Sequence, residues 1–240
     1  MQPENRTWRI DARLATARLG AGLLAGLLCG FVIGGIGSRL AMFVLRVTSD
    51  PSLQGMETDD GFIIGRFSGD SAFLILFATA LGVGGGLFYL LVRGWLPERA
   101  RPAVMGALGA TVGGAAIIRP DGIDFTLLEP LWLAIAMFVA LPALYGVTMV
   151  FLTERWLRSA EERSRAGWLA ILLPLMALGA GGPIGLILFV VLVAGWALNR
   201  RIPIAHLWRS PGVTWLGRAA LLAVFGLTGT ELMRDTIEVF

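Results

Sequence analysis

Five stretches of this chain run for 17 to 34 residues without a charged side chain: 19–38, 71–92, 102–118, 130–153 and 166–199. A sixth, 214–230, is interrupted only by Arg218. A helix needs about 20 apolar residues to cross the ~30 Å hydrocarbon core of a bilayer, because each residue advances it ~1.5 Å. Soluble domains carry roughly a quarter of their residues as charges. Here the share is 15%, with 56% hydrophobic residues and a mean hydropathy of +0.74. Such values exclude a soluble enzyme, a disordered chain and a disulfide scaffold. The alternating ten-residue strands of a membrane barrel are absent. The expected fold is all-α, a polytopic helix bundle forming one transmembrane domain over residues 1–240.

Charge placement gives the bundle a direction. All 20 basic residues are arginine, a bias that fits a bacterial chain of high-GC coding better than a phosphate-recognition role. Arg6, Arg9, Arg13 and Arg18 precede the first run; Arg93, Arg99 and Arg101 follow the second; Arg155, Arg158, Arg163 and Arg165 follow the fourth. The intervening loops are acidic, with Asp50, Glu57, Asp59, Asp60 and Asp70 in the first and Asp121 and Asp124 in the second. Short arginine-rich loops stay on the cytoplasmic side, so the N-terminus is expected there, in a multi-pass protein of the bacterial inner membrane. Read this way, the arginines orient the chain rather than bind nucleic acid. Trp95, Trp132, Trp156, Trp168, Trp196 and Trp215 fall near run ends, where an aromatic belt is expected.

The 34-residue run poses a length problem, since a single helix over it would reach about 50 Å. Gly181, Gly182 and Pro183 stand near its midpoint, and glycine followed by proline reads as one helix stopping and another starting. Arg165 precedes the run, and Arg200, Arg201 and Arg209 follow it, so both ends are expected on the cytoplasmic side. The spans are therefore placed at about 19–45, 71–92, 102–118, 127–153, 166–180, 183–199 and 214–233, with an outer loop at 46–70. Seven crossings result, with six as the alternative.

Gly22, Gly26, Gly30 and Gly34 recur every four residues, Ser38 continues the series, and Ala78, Gly82 and Gly86 repeat it. Gly106, Ala110 and Gly114 form a third stripe. Such stripes let a neighbouring backbone approach closely, so glycine-mediated packing within the bundle, or of one chain on another, is expected. The segment Gly34-Gly35-Ile36-Gly37-Ser38-Arg39-Leu40-Ala41-Met42 resembles the end of the first span in uncharacterised glycine-rich polytopic bacterial membrane proteins. The likeness extends loosely over the first four spans, and it implies architecture alone.

Ionisable residues near a bilayer are costly and repay inspection. Arg39, Asp59, Asp60, Arg66, Asp70, Arg119 and Glu129 all fall on the expected outer side and make a candidate polar cluster. Its carboxylates suit a divalent cation, its arginines an anionic lipid headgroup, and the mixture the mouth of a pathway for a small ion. The plainer reading is that Arg39 and Arg46 snorkel to the interface while the loop charges pair in water. An arginine one turn inside the boundary is otherwise expected to find a carboxylate, here Glu129 or the Asp59-Asp60 pair.

No catalytic residue emerges, and no cofactor is identifiable. Without lysine there is no retinal or pyridoxal phosphate Schiff base. A single histidine, His206, excludes a haem held between two histidines of this chain, and Cys29 alone makes no cysteine metal site. The leading functional expectation is a small transporter or channel, because broken helices build binding sites in transporters. The alternatives are a non-catalytic accessory or scaffold subunit and an outer-facing metal-assisted or lipid-headgroup enzyme.

Overall fold

The computed structural model describes residues 3–50, 69–120, 129–159, 182–198 and 204–239. It is all-helical: 91% helix and, among the described residues, no strand. Helix α1 (Pro3–Cys29) passes through a π-helical stretch, Gly30–Gly37, into α2 (Ser38–Thr48) without leaving helical backbone angles. Helix α3 (Gly69–Val92) returns beside it. A 3₁₀ turn, Glu98–Ala100, leads into α4 (Arg101–Leu108), a second π-helical stretch (Gly109–Gly113) and α5 (Gly114–Ile117). Helix α6 (Leu131–Arg158) runs back along that rod. Then come α7 (Gly182–Leu198), the short α8 (Ile204–Trp208) and α9 (Pro211–Val239).

Four helices are long and apolar enough to cross a membrane: Arg13–Thr48, Ala72–Val92, Leu131–Arg158 and Pro211–Val239. That is fewer than the seven crossings expected from sequence. The expected span 102–118 is helical but short, with α4, its π stretch and α5 together covering 101–117. Helix α7 has 17 residues, about 26 Å of rise, also below the usual span. The expected span 166–180 lies outside the described residues. Helices that are present overrun their expected limits: the first continues to Thr48, the fourth to Arg158 and the last to Val239. Loss of apolar character marks where a helix would meet water, whereas intrahelical hydrogen bonding continues beyond that point.

The glycine stripes of the first two spans face each other. A Cβ on Gly82 would sit 2.5 Å from Gly30 Cα, and one on Gly86 would sit 3.1 Å from Gly26 Cα. A Cβ on Gly30 would lie 2.9 Å from both Ala78 O and Gly82 Cα. Helices α1 and α3 thus touch at backbone distance, antiparallel, with Gly22 opposite Gly86 and Gly26 opposite Gly82. The third stripe packs on α6 with additional glycines. Gly106, Gly109 and Gly113 meet α6 at the ordinary i, i+3, i+7 spacing of one helical face, and Gly114 joins them. Gly114 lies between Val139 of α6 and Leu232 of α9.

Proline explains the shape of this second seam. Pro142 stands inside α6, where its ring removes one hydrogen bond and crowds the preceding turn. A Cβ on Gly109 would lie 2.9 Å from Pro142 C, and one on Gly113 2.5 Å from Pro142 Cγ. The two glycines supply the room that Pro142 takes. Both π stretches open on the same pattern, Gly30-x-x-Ile33-Gly34-Gly35 and Gly109-x-x-Val112-Gly113-Gly114.

Aliphatic side chains close the bundle around these seams. Ala25, Cys29, Tyr89, Val92, Met105, Met149 and Leu221 form one buried cluster that joins α1, α3, α4, α6 and α9. Towards the other end Leu45, Ile118, Ala134 and Phe138 form a second, against which Leu232 and Val239 of α9 pack. Helix α7 rests Leu188, Phe189 and Leu192 on Leu23, Val83 and Leu87.

Replacing Gly82 by alanine should destabilise the bundle by about 1–3 kcal/mol, the usual range for overpacking. Gly226→Ala, at a position with nothing within 4 Å of the added carbon, should cost nothing measurable. Thermal unfolding in detergent compares the two. Equal melting temperatures would contradict the seam.

Candidate functional site

The structure separates the chain into two polar ends. At the end reached by Thr48, Ile118 and Leu131, Glu129 joins α2 to α6 through its backbone. Thr48 Oγ1 and Ser49 Oγ donate to Glu129 O at 2.8 and 3.1 Å, and Glu129 N donates to Ser49 Oγ at 2.9 Å. The Glu129–Pro130 peptide bond is cis.

The residues of the expected outer cluster are only partly brought together. Glu129 lies level with Thr48, nine residues and roughly 14 Å along the helix axis from Arg39. Arg39 is half-buried on α2, with Nε and Nη2 shielded from solvent, and Arg119 is exposed just beyond α5. Asp70 lies in the first turn of α3. Asp59, Asp60 and Arg66 lie outside the described residues, as does Gly181. Gly182 and Pro183 open α7, where a helix start was expected. Among the described residues no group of three histidine, cysteine or carboxylate side chains is placed to hold a metal ion.

The better-defined constellation is at the opposite end, where α3 stops, α4 starts and α6 nears its last turn. Glu154 of α6 is its centre. Tyr89, fully buried in the last turns of α3, donates its phenolic hydrogen to Glu154 Oε1. Arg93 follows four residues later, on the same helical face, and its Nη2 reaches both carboxylate oxygens at 3.0 Å while Nε reaches Oε1 at 3.1 Å. Arg101, the first residue of α4, brings Nη1 to 3.3 Å from the same Oε1 and 3.6 Å from Glu98 Oε1. Side-chain exposure is 29% for Arg93, 25% for Glu154 and 12% for Arg101. One carboxylate therefore holds the ends of three helices. Arg101 Nε is buried and has no hydrogen-bond acceptor among the described residues.

Tryptophans fasten α8 and α9 to this end. The rings of Trp95 and Trp208 lie 4.9 Å apart between centroids, tilted by 33°. Trp95 Nε1 donates to Trp208 O at 3.3 Å, and Trp208 Nε1 donates to Leu91 O at 2.9 Å. Arg218, which interrupts the last apolar run, donates from Nε to Trp95 O at 2.7 Å and stacks 5.6 Å from the Trp215 centroid. Gly217 lies against the Trp95 ring, and a Cβ there would sit 2.8 Å from Cε2. Each donor in this group finds a carbonyl or a π face, so the arginine inside the run is satisfied locally.

Chemically, the end combines two guanidinium groups and a phenol on one carboxylate whose Oε1 already accepts from all three side chains. The arrangement is rich in donors and poor in acceptors. It suits holding an anion better than moving a proton, because Oε1 already accepts from three side chains and both arginines are held close together. Sequence reasoning read Arg93, Arg101 and Arg155 only as orientation signals and passed over Glu154. The available signal was an acidic residue set directly between an apolar run and an arginine-rich loop. No family model, curated protein or solved structure matches the chain, so the reading rests on its own residues.

Glu154→Gln should destabilise the bundle by about 1–3 kcal/mol, because it strands two partly buried guanidinium groups while solvent tempers the loss relative to a fully buried pair. Tyr89→Phe should cost about 1 kcal/mol. Glu238→Gln, which breaks the exposed Arg234–Glu238 pair at 2.9 Å, should leave stability unchanged. Detergent-phase unfolding curves measure all three. Glu154→Gln behaving like Glu238→Gln would remove the cluster's structural role.

Proposed function

We propose that this chain is a polytopic protein of the bacterial cytoplasmic membrane and serves as a non-catalytic scaffold or accessory subunit of a membrane complex. The observation carrying this reading is the backbone-to-backbone closure of α1 on α3 and of α4 on α6 at glycine. Close contact of this kind fills the bundle interior with main chain, and in lipid it gains packing that apolar side chains alone do not supply. The polar hydroxyls within the seams are used locally: Tyr145 Oη donates to Gly82 O at 2.6 Å, and Thr79 and Thr153 donate to carbonyls four residues back.

Orientation follows from the same ends. Arg93, Arg99, Arg101, Arg155, Arg158, Arg209 and Arg218 gather where Trp95 and Trp208 lie, and short arginine-rich loops favour the cytoplasmic side. Helix α6 ends there and α8 begins there, so the chain between them returns to the side it left. Two crossings, or a re-entrant pair with α7 as its second arm, satisfy that return. With the short helix 101–117 counted, this supports the seven-crossing arrangement.

Helix α9 presents the uncommitted surface. Leu216, Leu222 and Leu227 are 73%, 70% and 71% exposed within the single chain, which suits contact with lipid or with another subunit. A transport reading draws on a different observation, the paired π-helical stretches, since π turns recur at functional sites.

Two measurements on the purified chain separate these readings. Reconstituted in sealed vesicles, it should give no dye-reported ion flux above protein-free vesicles. Released mildly from its native membrane, it should migrate as an assembly larger than one 25.7 kDa chain in its detergent belt. Flux that rises with protein density, from a chain that migrates alone, would overturn the scaffold reading in favour of transport.

A further inference from the structure

The donor surplus around Glu154 has a chemical consequence. Arg93 and Arg101 each carry five N–H donors, Tyr89 adds one, and Glu154 offers two oxygens. Glu154 Oε1 accepts from all three side chains, and Oε2 accepts from Arg93 Nη2. Among the described residues, Glu98 is the other carboxylate paired with Arg101; it is 85% exposed and stands 3.6 Å away. Arg101 is left with Nε buried and without an acceptor among the described residues, although only 12% of its side chain is exposed. A buried donor without an acceptor costs free energy, and one on a guanidinium more than most.

The charge balance points the same way. Two guanidinium groups share one buried-edge carboxylate, and the surrounding surface adds more cations. Arg158 lies on α6 one turn beyond Glu154, at the i+4 position of the same face, and is exposed. Arg155, three residues before it on α6, and Arg99, two residues before Arg101, are also exposed. Among the described residues the site therefore carries a net positive charge and more outward N–H donors than acceptors. An anion with several oxygens in one plane or tetrahedron would satisfy both deficits, because a guanidinium matches phosphate in a two-pronged arrangement that an ammonium cannot form.

Its level in the fold limits the source of that anion. Trp95 and Trp208 lie at the same end, their rings apolar and their N–H groups on carbonyls, as side chains at a headgroup boundary are arranged. We propose that Arg93, Arg101 and Arg158 form a binding site for the phosphate of an anionic phospholipid in the cytoplasmic leaflet, with Arg101 as its buried anchor. The proposal rests on the membrane reading above. Basic pockets between helices on the cytoplasmic side are the general form of such sites. The headgroup phosphate supplies acceptors to the outward N–H groups of Arg93 and Arg101, while Arg158 adds charge at the rim. Glu154 and Tyr89 act as positioning residues, holding the two guanidinium groups together before the lipid arrives.

Thermal unfolding of the detergent-purified chain tests this, with phosphatidylglycerol, phosphatidylcholine or inorganic phosphate added at matched concentrations. Phosphatidylglycerol should raise the melting temperature, and phosphatidylcholine and inorganic phosphate should not. Arg158→Gln, an exposed position outside the Glu154 contacts, should weaken the apparent affinity for phosphatidylglycerol at least ~fivefold, as expected for one lost cation near a charged surface. Arg101→Lys, which keeps the charge and removes the fork, should weaken it further. Equal shifts with the two lipids would overturn the proposal. So would an equal shift with inorganic phosphate, which would assign the site to a free anion. A phosphatidylglycerol shift unchanged in both variants would mean diffuse attraction and would also overturn it. Resistance of the unmodified chain to alkaline extraction from membranes is measured alongside, so that a failed membrane reading is told apart from a failed headgroup site.

Discussion

Where Gly26 meets Gly82, two helices lie against each other with main chain on both sides, and the rest of the structure is registered from that contact. A Cβ on Gly26 would fall 3.0 Å from Gly82 C and 3.1 Å from Val83 Cα, so the approach exists only because neither residue has a side chain. In a soluble protein, burial of apolar surface would drive such an association. In lipid the surroundings are as apolar as the helix, and what remains is close packing, with interhelical hydrogen bonds. Tyr145 of α6 adds one of these to the same point, donating to Gly82 O. Three helices thus fix one another within a single turn of the seam.

The register set there decides what meets at the arginine-rich end. Seven residues beyond Gly82, Tyr89 is buried against α6 at the height of Glu154, and Arg93 follows on the same face. The second seam, with Gly109 and Gly113 fitted around Pro142, brings the start of α4 to that level and so places Arg101. Neither arginine needs a loop of special shape, because the helices carry them to one carboxylate. Helix α9 is then tied on by Trp95, Trp208 and Arg218 at this end and by Leu232 and Val239 at the other. Its outward face remains uncovered within the chain, which is why a scaffold role and a lipid-facing role meet on the same helix.

Much of the architecture was legible in the sequence, and the limits have physical causes. The helical character, the two facing stripes at Gly22–Gly34 and Ala78–Gly86, and the helix start at Gly182 follow from composition and spacing, because a four-residue repeat of small side chains has one geometric meaning. In the third stripe Gly106 and Gly114 do meet α6, while Gly109 and Gly113 escaped notice because they fit around Pro142, a partner the four-residue repeat does not display. The crossing count came out lower among the described helices because residues 101–117 and Gly182–Leu198 are helical but short. The Glu154 cluster escaped for another reason. Glu154 stands 53 to 65 positions from its three partners in sequence, and the arginines had a sufficient local explanation as topological charges. Only the fold shows that those charges share one site. Glu129 sits level with Thr48, roughly 14 Å along the helix axis from Arg39, a height that a sequence does not display for residues on different helices.

The glycine seam is the claim on which register, cluster and surface all depend, and cross-linking tests it directly. A Cβ on Gly34 would lie 3.2 Å from Ala78 Cβ, close to the ~3.5–4.5 Å that a disulfide requires. In a chain whose Cys29 is replaced by alanine, Gly34→Cys combined with Ala78→Cys should cross-link readily in native membranes under mild oxidation. Gly34→Cys combined with Leu81→Cys, on an exposed face of α3, should not. Cross-linking of the second pair in preference to the first would place α3 in a different rotation against α1 and contradict the account.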